Sequence, residues 1–187
     1  GKVDILIGTQ MIAKGHDFPG VTLVGVVSAD VSLNFPDFRS QERTLQLLLQ
    51  VSGRAGRGEL EGEVIIQTFS PANKAIQYSS NMALESFYES ELEARKEFFY
   101  PPYCHLVCIT VGAKKESQSE EVISKIKKFL MNYKSSSTLV KGPIPALIPK
   151  VREYFRYQLI MRTKSIHKIM PHLREFIKIF RNTKNVY

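Results

Sequence analysis

Nine consecutive residues, Val21 to Ala29, carry no charge and are rich in valine. Such a run is too short for an ordinary helix and reads as a strand buried on both faces. That is the setting of a parallel sheet, whose strands are joined by crossovers, usually helices. The neighbouring sequence agrees. Asp4 to Gly8 reads as a second buried strand and Glu63 to Phe69 as a third. Thr9 to Gly20 is a loop with room for a helical turn at Gln10–Lys14, and Asp30 to Phe38 is a long loop. Arg39 to Val51 reads as a helix whose Leu45, Leu48 and Leu49 share a face. Strand–helix alternation of this kind defines an α/β fold.

The pattern then changes. Pro71 to Phe99 is helical and charged, with a start signal at Ser70-Pro71-Ala72-Asn73. Pro101-Pro102 closes that stretch and predicts a domain boundary. Beyond it come a strand at His105–Val111 and a helix at Ser117–Tyr133, with Val122, Ile126, Phe129 and Leu130 on one side. Ser135–Ser137 reads as a loop and Gly142-Pro143-Ile144-Pro145-Ala146 as a stiff turn. A strand at Tyr154–Arg162 and a helix at Ile166–Phe180 follow. Pro171 is tolerable only near that helix's first turn or at a kink. With a short strand after Asn185, the order describes a small two-layer α+β domain, truncated at its end. The expected division is 1–70, an α/β lobe; 71–100, a helical connector; and 101–187, the α+β domain.

The net charge of +8 is uneven: residues 1–62 are nearly neutral, 63–140 are balanced, and 141–187 hold eleven basic and two acidic side chains. A block of that sign attracts polyanions, although it also serves simply as a solvated surface. There is no membrane-length apolar run and no signal-peptide pattern. Cys104 and Cys108 are too few for a disulfide framework. Four apart on a strand, they would share a face as ordinary thiols in a reducing cytoplasm.

Two segments carry chemistry. Gln50-Val51-Ser52-Gly53-Arg54-Ala55-Gly56-Arg57 places two arginines three apart, with a glutamine four residues before the first. On a continuing helix, Gln50 and Arg54 would lie about one turn apart on one face. Glycines let a backbone approach a phosphate closely, and guanidinium forks spread phosphoryl charge. The same octet also fits a plain helix C-terminus with a glycine stop and solvated arginines. Upstream, Gly8-Thr9-Gln10-Met11-Ile12-Ala13-Lys14-Gly15-His16-Asp17-Phe18-Pro19 follows a strand and offers a hydroxyl, backbone N–H groups and a lysine. Such a loop can hold a phosphate.

These segments resemble motifs V and VI of the superfamily 2 helicases. Asp37-Phe38-Arg39-Ser40-Gln41-Glu42-Arg43, Pro101-Pro102-Tyr103, Gly142–Ala146 and Phe155-Arg156-Tyr157-Gln158 narrow the resemblance to the primosomal protein N′ family of bacterial replication-restart helicases. The resemblance covers nearly the whole chain. It implies a partial RecA-like second helicase lobe followed by a C-terminal domain. The family reaction is ATP hydrolysis, with Mg2+, coupled to 3′→5′ unwinding at stalled forks and to primosome assembly. It implies that Arg54 and Arg57 are arginine fingers, with Gln50 beside the same γ-phosphate. Asp17, Gly15 and Gly53 would lie along the nucleotide, and Thr9 and Lys14 would contact DNA. Glu42 and Arg43 would form a structural pair on their helix. No Walker-type G-x-x-x-x-G-K-[ST] loop and no acidic D-E-x-H box occurs in the chain, so this portion alone is expected to be inactive. The family's zinc-binding cysteines are not among these residues.

The basic quarter holds Lys150, Arg152, Arg156, Arg162, Lys164 and Lys168 near a strand with Tyr154, Phe155 and Tyr157. Alternation predicts Tyr154, Arg156 and Gln158 exposed and Phe155, Tyr157 and Leu159 in the core. Lys150, Arg152 and Arg156 are candidate nucleic-acid ligands. The resemblance implies branched and single-stranded DNA, the acidic tail of single-stranded-DNA-binding protein and other primosome proteins as partners, in the cytoplasm and without a membrane. Two other readings fit the motifs less fully: a different superfamily 2 translocase lobe, and a non-catalytic nucleic-acid or protein-binding module.

Overall fold

The computed structural model describes residues 3–9, 20–56, 61–133 and 136–180. Two compact units divide the chain, residues 1–92 and 93–187. The first is α/β with a small parallel sheet; the second carries an antiparallel sheet.

In the first unit, β1 (Leu23–Val26) pairs in parallel with β2 (Glu63–Ile66), Leu23 opposite Glu63 and Val26 opposite Ile66. The crossover contains α1 (Asp30–Leu33) and α2 (Ser40–Ser52). The expected strand over Val21–Ala29 is thus shorter, but sheet-like bonds outlast it: Gln67 N–H donates to Val26 O and Ala29 N–H to Gln67 O. Val24, Val26, Val64 and Ile66 alternate inward, and Val26 and Ile66 pack with Ala29, Leu48 and Ile76. A second cluster joins Leu45, Ala75 and Phe87. It draws on α2, on α3 (Lys74–Ser80) and on α4 (Leu84–Glu97). Asn73 caps α3, its side chain accepting from Ala75 N–H at 2.9 Å. Tyr78 meets Phe87 edge-on at 6.0 Å.

Two expectations fail here. Residues 4–8 form no strand; they are exposed, with Ile5 and Ile7 in solvent. An apolar run becomes a strand only when a ladder partner satisfies its backbone, and none of the described pairings includes it. The segment 30–38 is not all loop, because Asp30 opens the short helix α1. The expected turn at Gln10–Lys14 lies outside the described residues.

The second unit runs β-α-β-β-α: β3 (His105–Ala113), α5 (Glu116–Asn132), β4 (Thr138–Val151), β5 (Tyr154–Thr163) and α6 (Ile166–Phe180). The sheet is antiparallel with β5 in the middle, flanked by β3 and β4. Val122, Ile123, Ile126 and Leu130 of α5 and Ile169, Leu173 and Phe176 of α6 bury against Val111, Leu159 and Met161 of the sheet. Pro171 lies inside α6, near its first turns.

Gly142–Ala146 is not a turn between elements. It lies within β4, where the ladder to β5 shifts between Lys141 and Ile144 and again between Pro145 and Lys150. As an edge strand, β4 accommodates Pro143, Pro145 and Pro149, whose missing N–H groups would break a central ladder. Gly142 has φ 104, and a Cβ there would sit 2.7 Å from Gln158 O. The cysteines do not share a face either. Cys104 precedes β3 and is buried, donating to Phe99 O at 3.2 Å, whereas Cys108 is exposed in the strand. The short strand expected after Asn185 lies outside the described residues.

Candidate functional site

The motif at Gln50–Arg57 is built on the end of α2. Gln50 is exposed in the last helical turn, and Gly53 is the C-cap, its N–H donating to Leu49 O at 3.0 Å. The helix then tightens: Arg54 N–H donates to Val51 O at 3.0 Å and Ala55 N–H to Ser52 O at 3.3 Å. Each bond reaches three residues back rather than four, so Arg54 sits beyond the helix. The one-turn stacking of Gln50 and Arg54 expected on a continued helix is therefore not kept. Gly56, at φ 73, donates its N–H to Val21 O at 3.1 Å, and Glu63 N–H donates to Thr22 O at 2.8 Å. The arginine turn is thereby tied to the entry of β1 beside the entry of β2.

The glycine that needs left-handed backbone is Gly56; Gly53 has φ −67, which any residue adopts. Arg54 is half-buried with its Nε shielded from solvent. A guanidinium has the donors to meet a phosphate with its fork. Arg57, Gly15, Asp17 and Lys14 lie outside the described residues. Thr9 is described and exposed, in segment 3–9.

The loop after α1 departs from expectation. Arg43 does not pair with Glu42. Its guanidinium binds Asp37 at 2.8 Å, and Asp37 also accepts Arg39 N–H at 3.0 Å. Glu42 instead accepts from Gln46 at 3.4 Å. Helical geometry explains this: adjacent residues point apart, while a loop carboxylate preceding the helix can fold back over its first turn. At the other end of the parallel pair, Asp30 is buried, accepting Thr68 O–H and Phe69 N–H, each at 3.0 Å. The Phe69 N–H bond, with smaller help from Thr68, holds its carboxyl below the ordinary carboxylate value against the opposing effect of burial. Phe69 itself is 91% exposed on this pinned backbone.

In the second unit, Leu159, Met161 and Thr163 face the helices, and Tyr157 packs against that core. Tyr157 O–H donates to Glu116 at 3.1 Å, a bond that raises the phenol above its usual value. The other face carries Arg156, Gln158, Ile160 and Arg162, opposite Gly112, Thr110, Cys108 and Leu106 of β3. Tyr154, Arg156 and Gln158 were expected in solvent but are half-buried, because a central strand is flanked on both sides. Arg156 Nε is buried without a hydrogen-bond acceptor. Lys150 and Arg152 are exposed on the β4–β5 hairpin, with Lys150 Nζ 4.4 Å above the Phe155 ring. Lys150, Arg152 and Arg156 therefore share one hairpin.

Arg162 was grouped only with the general basic charge. It stacks 3.9 Å over Tyr100 and donates to Phe98 O at 2.7 Å. Burial pushes the Cys104 thiol up, partly offset by the positive charge of Arg162. Cys104 is thus a poor nucleophile at neutral pH. The contact spans sixty-four residues, and no local pattern signals it. Among the described residues no group of three or more His, Cys, Asp or Glu side chains could hold a metal ion, and no helix is long and apolar enough to cross a membrane.

A parallel β-α-β unit whose crossover ends in an arginine turn, joined in one chain to an α+β unit with an antiparallel sheet and a basic C-terminal quarter, defines the class: a two-unit α/β protein with one parallel and one antiparallel sheet. Residues 96–186 match the family model of the primosomal protein N C-terminal domain. The chain is 44% identical over 181 residues to "Replication restart protein PriA" of Bacillus subtilis, covering 97% of this chain and 22% of that protein. Proteins of the same name from Treponema pallidum and Thermotoga maritima are 37% and 35% identical over 100% and 96% of the chain, and 28% and 24% of their own lengths. The chain belongs to the PriA replication-restart family and corresponds to its C-terminal part. It spans about a quarter of the length of these relatives.

Proposed function

We propose that the chain is the C-terminal portion of an ATP-dependent 3′→5′ DNA helicase that engages stalled forks and initiates primosome assembly in the cytoplasm. Residues 1–70 would belong to a RecA-like second motor lobe, 71–100 would connect it to the rest, and 101–187 would form the C-terminal domain. The observation carrying this reading is the arginine turn: a half-buried Arg54 fixed by backbone bonds between a crossover helix and a parallel pair. The sheet supports it too. Parallel sheets are covered on both faces, yet Leu23, Val27, Ile65 and Phe69 leave one face here apolar and exposed. This is the behaviour of a lobe completed by further chain.

The residues present fit one side of a nucleotide site. ATP with Mg2+ would supply the phosphoryl group, and most of its ligands would come from the other lobe. Arg54, with Arg57, would stabilise charge on the γ-phosphate. Gln50 would orient beside it, Gly53, Gly15 and Asp17 would border the nucleotide, and Thr9 and Lys14 would touch the DNA backbone. Zinc, where the family carries it, would be held elsewhere. The basic sheet face and hairpin of the second unit, with Lys150, Arg152 and Arg156, would receive branched or single-stranded DNA and the acidic tail of single-stranded-DNA-binding protein.

The test is Arg54→Ala in the full-length protein. DNA-stimulated ATP turnover should fall by ~10³-fold or more, as for other transition-state arginines, with nucleotide affinity changed far less. Turnover within about threefold of the unsubstituted enzyme would refute the assignment.

A further inference from the structure

The outer end of the β4–β5 hairpin is unlike the rest of the surface: the ladder breaks between Pro145 and Lys150, and Leu147 and Ile148 lie in that break, just before the strands pair again and turn at Arg152 and Glu153. Seven consecutive residues, Leu147 to Glu153, are all exposed. Leu147 is 55% and Ile148 58% exposed, and Val151 is also exposed. The projection is nonetheless mounted rigidly. Ala146 is buried at its base, prolines 145 and 149 bracket the two large apolar residues, and Lys150 and Val151 re-enter the ladder opposite Phe155 and Tyr154. Arg152 turns the corner at φ 55.

Cationic side chains follow the apolar pair in the chain. The Lys150 ammonium sits over Phe155, Arg152 is exposed, and Arg156 lies further down the same strand. The one acidic side chain at the tip, Glu153, is paired to Lys114 at 3.4 Å. This end of the hairpin therefore presents two large apolar side chains within a few residues of exposed Lys150 and Arg152. A short acidic peptide calls for the inverse shape, a concave apolar floor ringed by basic groups. Apolar side chains projecting beside cations match a base step instead, where proteins insert Leu, Ile or Pro wedges while lysines and arginines hold the flanking phosphates.

We propose that Leu147 and Ile148 form a wedge that unstacks the terminal base pair where a DNA duplex meets its single strands, with Lys150 and Arg152 gripping the phosphates on either side. The proposal rests on the nucleic-acid reading above and adds a structural preference to it: junctions over uniform duplex or single strand.

The test uses the full-length protein and a forked duplex carrying 2-aminopurine at the junction pair, with fold checked by circular dichroism. Binding of the unsubstituted chain should brighten the fluorophore. L147S/I148S, at positions already in solvent, should stay folded and keep affinity for plain duplex within about threefold. It should lose the brightening and roughly tenfold of the fork preference, since no apolar body remains to fill the opened base step. Ile148→Phe, which keeps an apolar body, should retain the signal. K150A/R152A should weaken all DNA alike and lower the salt slope by about two. Brightening that survives L147S/I148S overturns the wedge while leaving DNA binding intact. A K150A/R152A salt slope equal to that of the unsubstituted chain overturns the phosphate grip. No binding to any DNA, or binding of an acidic peptide alone, overturns both the wedge and the nucleic-acid reading of this domain.

Discussion

Gly142→Ala is the sharpest structural perturbation available to the second unit. Gly142 has φ 104, a backbone region that costs any residue with a Cβ. The new methyl would lie 2.7 Å from the backbone oxygen of Gln158, 3.1 Å from Leu159 Cδ2 and 3.3 Å from Ile144 N. The closest obstacle is backbone of the central strand, so no side-chain rotation relieves it. Left-handed backbone costs a non-glycine residue roughly 1–2 kcal/mol and strained positions about 1–3 kcal/mol. Displacement of Leu159, fully buried in the core, adds to this. The expected destabilisation is about 2–4 kcal/mol, or roughly a 30- to 700-fold increase in opening at β5. Hydrogen exchange at the β5 amides, alongside urea unfolding, reads it within this unit alone. Gly53→Ala is the control: φ is −67, and the added Cβ would make only ordinary contact, 3.4 Å from Leu49 O. Equal β5 protection in both variants would refute the argument that this position accepts only glycine.

Two further predictions concern the first unit. The Asp30 carboxyl is held below its unfolded value of about 3.9 mainly by Phe69 N–H. It therefore contributes stability above that pH, lost as pH falls through the lower folded value. Asp30→Asn should flatten the acid side of the stability profile, and an unchanged acid limb would count against the bond. Asn73→Ala removes the acceptor that caps α3 at 2.9 Å and should cost about 1 kcal/mol in urea unfolding.

Most elements were legible because their periodicity is local. Leu45 and Leu48 announce α2, Val122, Ile126 and Leu130 announce α5, and the alternation of Leu159, Met161 and Thr163 fixes which face of β5 is core. The misreadings share one cause: strand status depends on a partner far away in sequence. Residues 4–8 have the composition of a strand and no ladder, whereas Gly142–Ala146 has the composition of a turn and lies in one. Glycine and two prolines looked like punctuation because edge position is invisible until the sheet order is known. The same holds at the candidate sites. The arginine turn could be read from its glycines, although Gly56 rather than Gly53 does the conformational work. The stack of Arg162 on Tyr100 could not be read, since it joins residues with no pattern in common.

The two sheets also carry different information in their exposed faces. An antiparallel sheet may face water on one side, so the face of β3-β5-β4 with Arg156, Gln158 and Arg162 among its side chains requires no further cover on packing grounds. Parallel sheets are ordinarily covered on both faces, and Leu23, Val27, Ile65 and Phe69 beside β1 and β2 are exposed, which fits the proposed lobe. Apolar exposure in the first unit is therefore a statement about packing, and mutating those residues should disturb the assembly of the lobe before any chemistry. The apolar pair on the hairpin lies instead on the edge strand of an antiparallel sheet. Ala146 beside it is buried, and Leu147 and Ile148 still stand in solvent near Lys150 and Arg152. Where packing demands nothing, an exposed pair of large apolar side chains on a rigid mount is better explained by something that binds it. That difference is why the functional inference is placed on the hairpin and not on the larger apolar face of the first unit.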